Sequence, residues 1–432
     1  MSQQTKRLLI SECTPHKTET VVLKGWVKKI RHLGNVSFLL LRDRTGVMQC
    51  VLEKEWAGYK VEVESVVQVT GKVIETNKTE LGIELLVEDV QLLNSTEPIP
   101  FEVNKKKLQV GLDQMLHSRP LSLRHERVQA IFTIKSMFAH AFSEYLLQNG
   151  FTRIFTPKIV SQGAEGGANV FQLNYFEKEA YLAQSPQFYK QMMVAGGLER
   201  VFEVAPVYRA EHHNSSRHLN EYISLDVELA FIEDFYEVMQ LETDVLRYMF
   251  EKVQQYCVKE LQLLQIDIPV ITKIPKLTVT EAQGILQKEY RKESPIGDLD
   301  SEGEKLLGKY VKETYNSDFV FITHYPKETR PMYTMPNKEN ASVTDSFDLL
   351  YKGLEITSGA QRIHNYDMLV RSFGEKELNV ENFQSYIDTF RYGCPPHGGF
   401  AIGLERLVYK FLNLSNVREA SAFPRDCTRL VP

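Results

Sequence analysis

The chain has 432 residues, 43% of them hydrophobic and 25% charged, with a net charge of −5. That length exceeds the roughly 250–300 residues of a single core, so more than one domain is expected, and the mildly acidic balance excludes a protein that coats nucleic acid through bulk charge while leaving room for a local basic face. No apolar run approaches the ~20 residues of a membrane-spanning helix, the first residues lack a signal-peptide pattern, and five scattered cysteines make neither a disulfide framework nor a zinc site, which together point to a cytoplasmic protein.

Up to about Leu93 the chain reads as short strands: 21–27, 36–43, 47–52, 64–73 and 82–93, rich in β-branched and apolar residues and separated by turn signals such as Gly34-Asn35 and Thr45-Gly46. Five strands in under a hundred residues suit a small barrel of the OB type, with a sandwich fragment as the alternative. Residues 94–122 lose any period and read as a linker. A helix follows, with Ile131, Ile134, Phe138, Phe142 and Tyr145 at helical spacing and Asn149-Gly150 as its stop. Extended residues 151–160 carry Pro157. Beyond them, helices are predicted at 233–263, 280–291 (N-cap Thr280), 302–314 (N-cap Ser301) and 403–414, with strands at 318–323 and 346–356. Strand runs without regular βαβ alternation favour an α+β fold with an antiparallel sheet flanked by helices. The expected domains are a barrel over 1–95, a linker or hinge over 96–125, and a second domain over 126–432 with a small helical insertion near 262–316.

Three stretches carry chemistry. In FEVAPVYRAEHHNSSRHLNEYISLDVE (202–228), Arg209 and Arg217 flank a polar loop between two strand-like arms, an arrangement able to grip a polyphosphate through charge-assisted hydrogen bonds. An exposed hairpin with surface ion pairs would look the same. In SFDLLYKGLEITSGAQRIH (346–364), Asp348 and Glu355 lie on a strand-like run followed by Ser358 and Arg362. Such carboxylates suit Mg2+, a hard cation that prefers oxygen ligands, although a solvated strand face is an equal reading from spacing alone. In PPHGGFAIGLERLVYKF (395–411), Gly398, Gly399 and Gly403 permit close backbone approach and Glu405-Arg406 open a helix, a weak phosphate signal by itself.

Together, in this order and behind an OB-like domain, these stretches resemble motifs 2 and 3 of class II aminoacyl-tRNA synthetases, and the helix with TPKIV around Pro157 resembles motif 1. The likeness covers nearly the whole chain and is greatest to aspartyl-tRNA synthetases of the archaeal and eukaryotic kind, which lack a long extra domain between motifs 2 and 3. It implies an aspartate–tRNA ligase that uses ATP, L-aspartate, tRNA(Asp) and Mg2+, with tRNA(Asn) left open as a second acceptor. It implies that Arg209, Glu211 and Arg406 serve catalysis. ATP would meet Arg209, Glu211, Arg217, His218, Leu219, Tyr222, Glu355, Gly403, Leu404, Glu405 and Arg406, with adenine between Tyr222 and Arg406. Aspartate would meet Glu165, Gln187, Lys190, Arg209, Ser358 and Arg362, with Lys190 and Arg362 answering its side-chain charge. Metal would be held by Asp348, Glu355 and Ser358, and anticodon bases by Arg31, Phe38 and Gln49. A homodimer with Pro157 near the twofold is implied as well.

Three positions depart from the usual pattern: Ala205-Pro206 replaces Gly-Pro, Tyr222 replaces a common Phe, and His32 stands where an acidic residue often follows the anticodon arginine. An asparaginyl enzyme and a catalytically idle RNA-binding paralogue are the rival readings. The second would be marked by loss of Arg209, Glu355 or Arg406, and all three are present.

Overall fold

The computed structural model describes residues 6–14, 20–163 and 169–431. They form two compact units divided between Val110 and Gly111.

The first unit is a closed barrel of β1 (Val21–Leu33), β2 (Val36–Arg42), β3 (Val47–Leu52), β4 (Val66–Glu75) and β5 (Ile83–Asn94), in the order β1-β2-β3-β5-β4. Alternation fills it: Leu39, Leu41, Met48, Cys50, Val67 and Val69 point inward and are fully buried, while Phe38, Leu40 and Gln49 face out. Gly71 on β4 has a steric cause, since a Cβ there would lie 2.1 Å from the Leu86 carbonyl of β5.

The second unit opens with two short helices, α1 (Leu112–His117) and α2 (Arg119–Ser122), in the stretch read as linker. Helices of six and four residues are too short to show a hydrophobic period, so the sequence could not announce them. Arg119 is fully buried and donates to the carbonyls of Ala422 and Ser421 at 2.8 and 2.6 Å, which fastens this entry segment to the C-terminal one. Then come α3 (Glu126–Gln148), β6 (Thr152–Arg153), and a small sheet of β7 (Ile159–Val160), β8 (Gln172–Tyr175) and β9 (Lys178–Leu182). They lead to α4 (Gln187–Met193), β10 (Arg200–Tyr208), β11 (Glu221–Ala230), α5 (Phe235–Tyr256) and α6 (Val258–Leu264).

β12 (Lys276–Thr278), α7 (Val279–Tyr290), α8 (Ser301–Tyr315) and β13 (Phe319–Thr323) follow. The chain closes with β14 (Ser346–Tyr351), β15 (Glu355–Arg362), α9 (Tyr366–Glu375), α10 (Gln384–Ile387), β16 (His397–Gly403) and α11 (Leu404–Phe411). The main sheet runs β12-β13-β14-β15-β16-β11-β10-β6, parallel only at its two edge pairs. One face packs on α3, α5 and α11, where Phe138, Phe250 and Phe411 meet edge to face at 5.2–5.4 Å.

Several predicted boundaries move, each for a local reason. Residues 346–356 are a hairpin rather than one strand, because Lys352 and Gly353 take the left-handed region (φ 47° and 67°) and turn the chain. Residues 233–263 break at Cys257 into α5 and α6. The cap of α7 is Thr278, since only that threonine stands three residues before Glu281 and completes the reciprocal capping box. Asp300, not Ser301, caps α8, its carboxylate accepting from Gly303 N at 2.8 Å.

Candidate active site

The face of the sheet turned away from α3, α5 and α11 carries a cavity of about 570 Å³. Strand alternation builds its floor. On β11 the run Ser224-Leu225-Asp226-Val227-Glu228-Leu229 sends Leu225, Val227 and Leu229 to the apolar core and puts Ser224 and Asp226 on the cavity wall. β14 and β15 pair with Asp348 opposite Ser358, and β16 lies between β15 and β11 with Ala401 opposite Ser358 and Gly403 opposite Ser224, residues small enough to leave the floor open. Gly399 serves packing instead. A Cβ there would sit 2.1 Å from the Val227 carbonyl and 2.3 Å from a Glu228 carboxylate oxygen, so its glycine admits a neighbouring strand and side chain.

Of the residues expected here, Gln187, Arg209, Glu211, Arg217, His218, Leu219, Tyr222, Asp348, Glu355, Ser358, Arg362, Gly403, Glu405 and Arg406 all line this one cavity. Leu404 does not, since its side chain is in the core. Glu405 is committed to a structural bond, with one oxygen 2.6 Å from Lys135 Nζ and the other accepting from Ile223 N. Glu165 lies outside the described residues. Arg31 and Phe38 stand opposite each other on β1 and β2, and Gln49 on β3 donates to Glu84 at 2.9 Å, all on the outer surface of the barrel.

On the cavity wall, Arg209 lies over the Tyr222 ring at 5.9 Å. Arg406 donates to the Glu355 carbonyl at 3.1 Å and lies 3.6 Å from its carboxylate, while Arg217 grips Glu304 of α8 at 2.8 Å. Burial first, then the nearby Arg406, pulls the His218 imidazole below its usual range, with Glu211 partly opposing, so it is neutral at pH 7. Ser215 hydrogen-bonds its Nδ1 at 2.6 Å.

The two cations expected to answer a substrate carboxylate already have anionic neighbours. Lys190 is buried, lies 2.9 Å from Asp226 and 3.5 Å from Glu228, and does not line the cavity. Arg362 lines it; Nε meets Glu228 at 3.0 Å, and Nη2 donates to Gln187 and to the Gly399 carbonyl. Nη1 takes part in none of these bonds. Burial alone would raise the Glu228 carboxyl, but Arg362 and Lys190 hold it below its ordinary range, so it is a fixed anion. Behind it, His397 accepts from Gln191 at 2.9 Å if its Nδ1 proton goes to the Pro395 carbonyl, which makes a neutral ring.

Sequence reasoning did not find Arg330, Glu304, or the roles of Asp226 and Glu228. Arg330 donates to Asp348 at 2.8 Å and to Ser358 at 3.0 Å and stacks on Tyr325 at 3.8 Å. For Asp226 and Glu228 the signal was available in the strict alternation of polar and apolar residues along β11. Arg330 and Glu304 come from segments that no local pattern ties to the motifs.

An antiparallel sheet with arginines and carboxylates converging on one face, in a chain that also carries a separate five-stranded barrel, fits an amino-acid-activating synthetase of the second structural class. Residues 112–427 match the tRNA synthetases class II (D, K and N), and residues 21–93 match the OB-fold nucleic acid binding domain. The chain is 47% identical over 430 residues to the aspartate–tRNA(Asp/Asn) ligase of Thermus thermophilus, covering 99% of this chain and 100% of that one. It is 43% identical to the aspartate–tRNA(Asp) ligase of Pyrococcus horikoshii, covering 95% and 96%. Among solved structures, asparaginyl-tRNA synthetase from Pyrococcus horikoshii complexed with asparaginyl-adenylate superposes with a TM-score of 0.92 at 30% identity, covering 99% of this chain and 100% of that one. The chain therefore belongs to the class II aminoacyl-tRNA synthetases of the aspartate, lysine and asparagine group.

Proposed function

We propose that this chain is an aspartate–tRNA ligase: it joins L-aspartate to ATP as aspartyl-adenylate and passes the aspartyl group to tRNA. The observation that carries this reading is one cavity lined by both kinds of cation the reaction needs. Arg209, Arg217 and Arg406 suit a triphosphate, and the buried Arg362, with Nη1 outside its internal bonds, suits a side-chain carboxylate.

Aspartate's α-carboxylate attacks the α-phosphorus in line and pyrophosphate leaves; a hydroxyl of the terminal ribose of tRNA then attacks the adenylate's carbonyl carbon, the bond to the phosphate breaks, and AMP leaves with release of the hydroxyl proton. No protein nucleophile is required. Arg209 holds the α-carboxylate against the α-phosphate, Tyr222 and Arg406 flank adenine, and Gln187 with Arg362 hold the side-chain carboxylate. Lys190 acts from behind, fixing Asp226 and Glu228 so that Arg362 keeps one orientation.

Mg2+ fits the donor set. Asp348 has a buried oxygen without a hydrogen-bond partner among the described residues, and Glu355 adds a second carboxylate on the neighbouring strand. Asp348, Glu355 and Ser358 would hold the ion, whose chemistry when bound is to neutralise charge on the phosphates. On the barrel, Arg31, Phe38 and Gln49 offer stacking and hydrogen bonding to unpaired anticodon bases. The names of the relatives support tRNA(Asp) and leave tRNA(Asn) as a second acceptor to be tested. No disulfide joins the described cysteines, and no described helix is long and apolar enough to cross a membrane.

ATP–pyrophosphate exchange with purified protein tests the reading. Exchange should depend on aspartate, and Arg209→Ala should lower it by about 10²–10³-fold without shifting the unfolding midpoint. Equal exchange with asparagine, or near-normal exchange by the variant, would overturn it.

A further inference from the structure

Arg217, one of the three arginines suited to the triphosphate and the one the family resemblance directs to its γ-phosphate, is already held in a bidentate grip. Its Nη2 donates to Glu304 Oε1 at 2.8 Å, its Nη1 to Oε2 at 3.1 Å, and Nη1 also to the Ser301 hydroxyl at 2.8 Å. The Glu304 side chain is 6% exposed and that of Arg217 17%, so water screens this pair only weakly. Glu304 Oε2 also accepts from the backbone N–H of Glu355 at 3.2 Å, which ties the carboxylate to the start of β15, whose Glu355 lines the cavity together with Arg217.

The segment that supplies Glu304 cannot easily retreat. Asp300 caps α8, Leu307 and Val311 are fully buried beneath it, and Gly308 lies so near the β14–β15 turn that a Cβ would be 2.5 Å from Gly353 N. Arg217 sits on a connecting segment between two strands, so of the two partners it is the one able to move.

We propose that Glu304 is an internal anion that competes with the outer phosphates of the nucleotide for Arg217. This rests on the reading that Arg217 meets those phosphates. ATP takes Arg217 from Glu304, leaving the carboxylate with the Glu355 N–H and facing a polyanion. AMP and the adenylate carry no outer phosphate and leave the pair closed. Once the adenylate has formed, Glu304 reclaims Arg217 and weakens the hold on pyrophosphate. The insertion helix thus trades ATP affinity for product release.

Calorimetric titration of the full chain with ATP, pyrophosphate and AMP, each with Mg2+, tests this. Glu304→Gln keeps an acceptor for the Glu355 N–H but loses the charge, and should bind ATP and pyrophosphate about tenfold more tightly, ~1.4 kcal/mol. AMP affinity should not change. Glu304→Asp keeps the charge on a shorter stem and should fall between; it serves also if the glutamine variant folds poorly. Arg217→Ala should weaken ATP and pyrophosphate but not AMP. Glu304 variants that bind ATP no better than the parent, while Arg217→Ala weakens it, would overturn the proposal. An Arg217→Ala variant with unchanged ATP affinity would instead overturn the assignment of Arg217 itself.

Discussion

At Glu355 burial and neighbouring carboxylates outweigh the nearby arginine. Its carboxyl is pushed up to about 7 by desolvation first; Asp348 and Glu304 push the same way, and Arg406 opposes them. A cation bound there needs the ionised form, so affinity should rise as pH passes upward through 7. Between pH 6 and 8 the ionised fraction grows about tenfold, and Mn2+ affinity followed by paramagnetic resonance should grow by a similar factor. Glu355→Gln should bind the ion weakly with a flat profile; a flat profile in the parent protein would exclude Glu355 as a ligand. Such a residue could be picked out from its motif, as could Arg209, Tyr222, Ser358, Arg362 and Arg406. Arg330 and Glu304 could not. They meet their partners across 18 and 87 residues of chain, and nothing local in either segment encodes that encounter.

At the level of elements, legibility followed length and period. The barrel strands and α3 have enough turns or alternations to declare themselves, whereas α1, α2 and the β14–β15 hairpin are too short or too continuous in apolar character. α5 shows a cost hidden inside a well-formed helix. It buries Glu242 completely, with neither carboxylate oxygen hydrogen-bonded among the described residues, although the Thr357 hydroxyl lies near enough to offset part of the effect. Burial pushes that carboxyl up to about 8, with Asp348 adding to the rise. The folded protein therefore keeps a proton that the unfolded chain releases above about 4.5. The contribution of Glu242 to stability should be greatest below that value and should fall as pH climbs toward 8. Glu242→Gln removes the titration, so it should match the parent near pH 5 and exceed it near pH 8, by on the order of 1–3 kcal/mol. Denaturant melts at both pH values check this, and parallel profiles for the two proteins would show that Glu242 is not the source of the slope.

On the scale of the molecule, the second unit leaves an unusual set of large apolar side chains in water around its small sheet. Phe155 is 77% exposed and Phe176 89%, with Ile159 and Tyr175 nearly half exposed, and all four belong to residues 155–176. Scattered apolar residues are ordinary on a protein surface, but several aromatics within one short stretch suit a surface that a partner would cover. Pro157 lies within that stretch, where the family resemblance puts a twofold axis, and a second copy of the chain is the occupant this reading requires. A stable pairing needs about 1,000 Å² or more of buried surface, which a few aromatics can anchor but not supply alone. Light scattering at micromolar concentration should accordingly give twice the 49.8 kDa chain mass. Exchanging both Phe155 and Phe176 for Glu should shift the species toward monomer, with the barrel and main sheet still folding, because neither ring is part of a buried core. A parent protein that runs as a monomer, or a double variant that stays dimeric, would move the interface away from this surface.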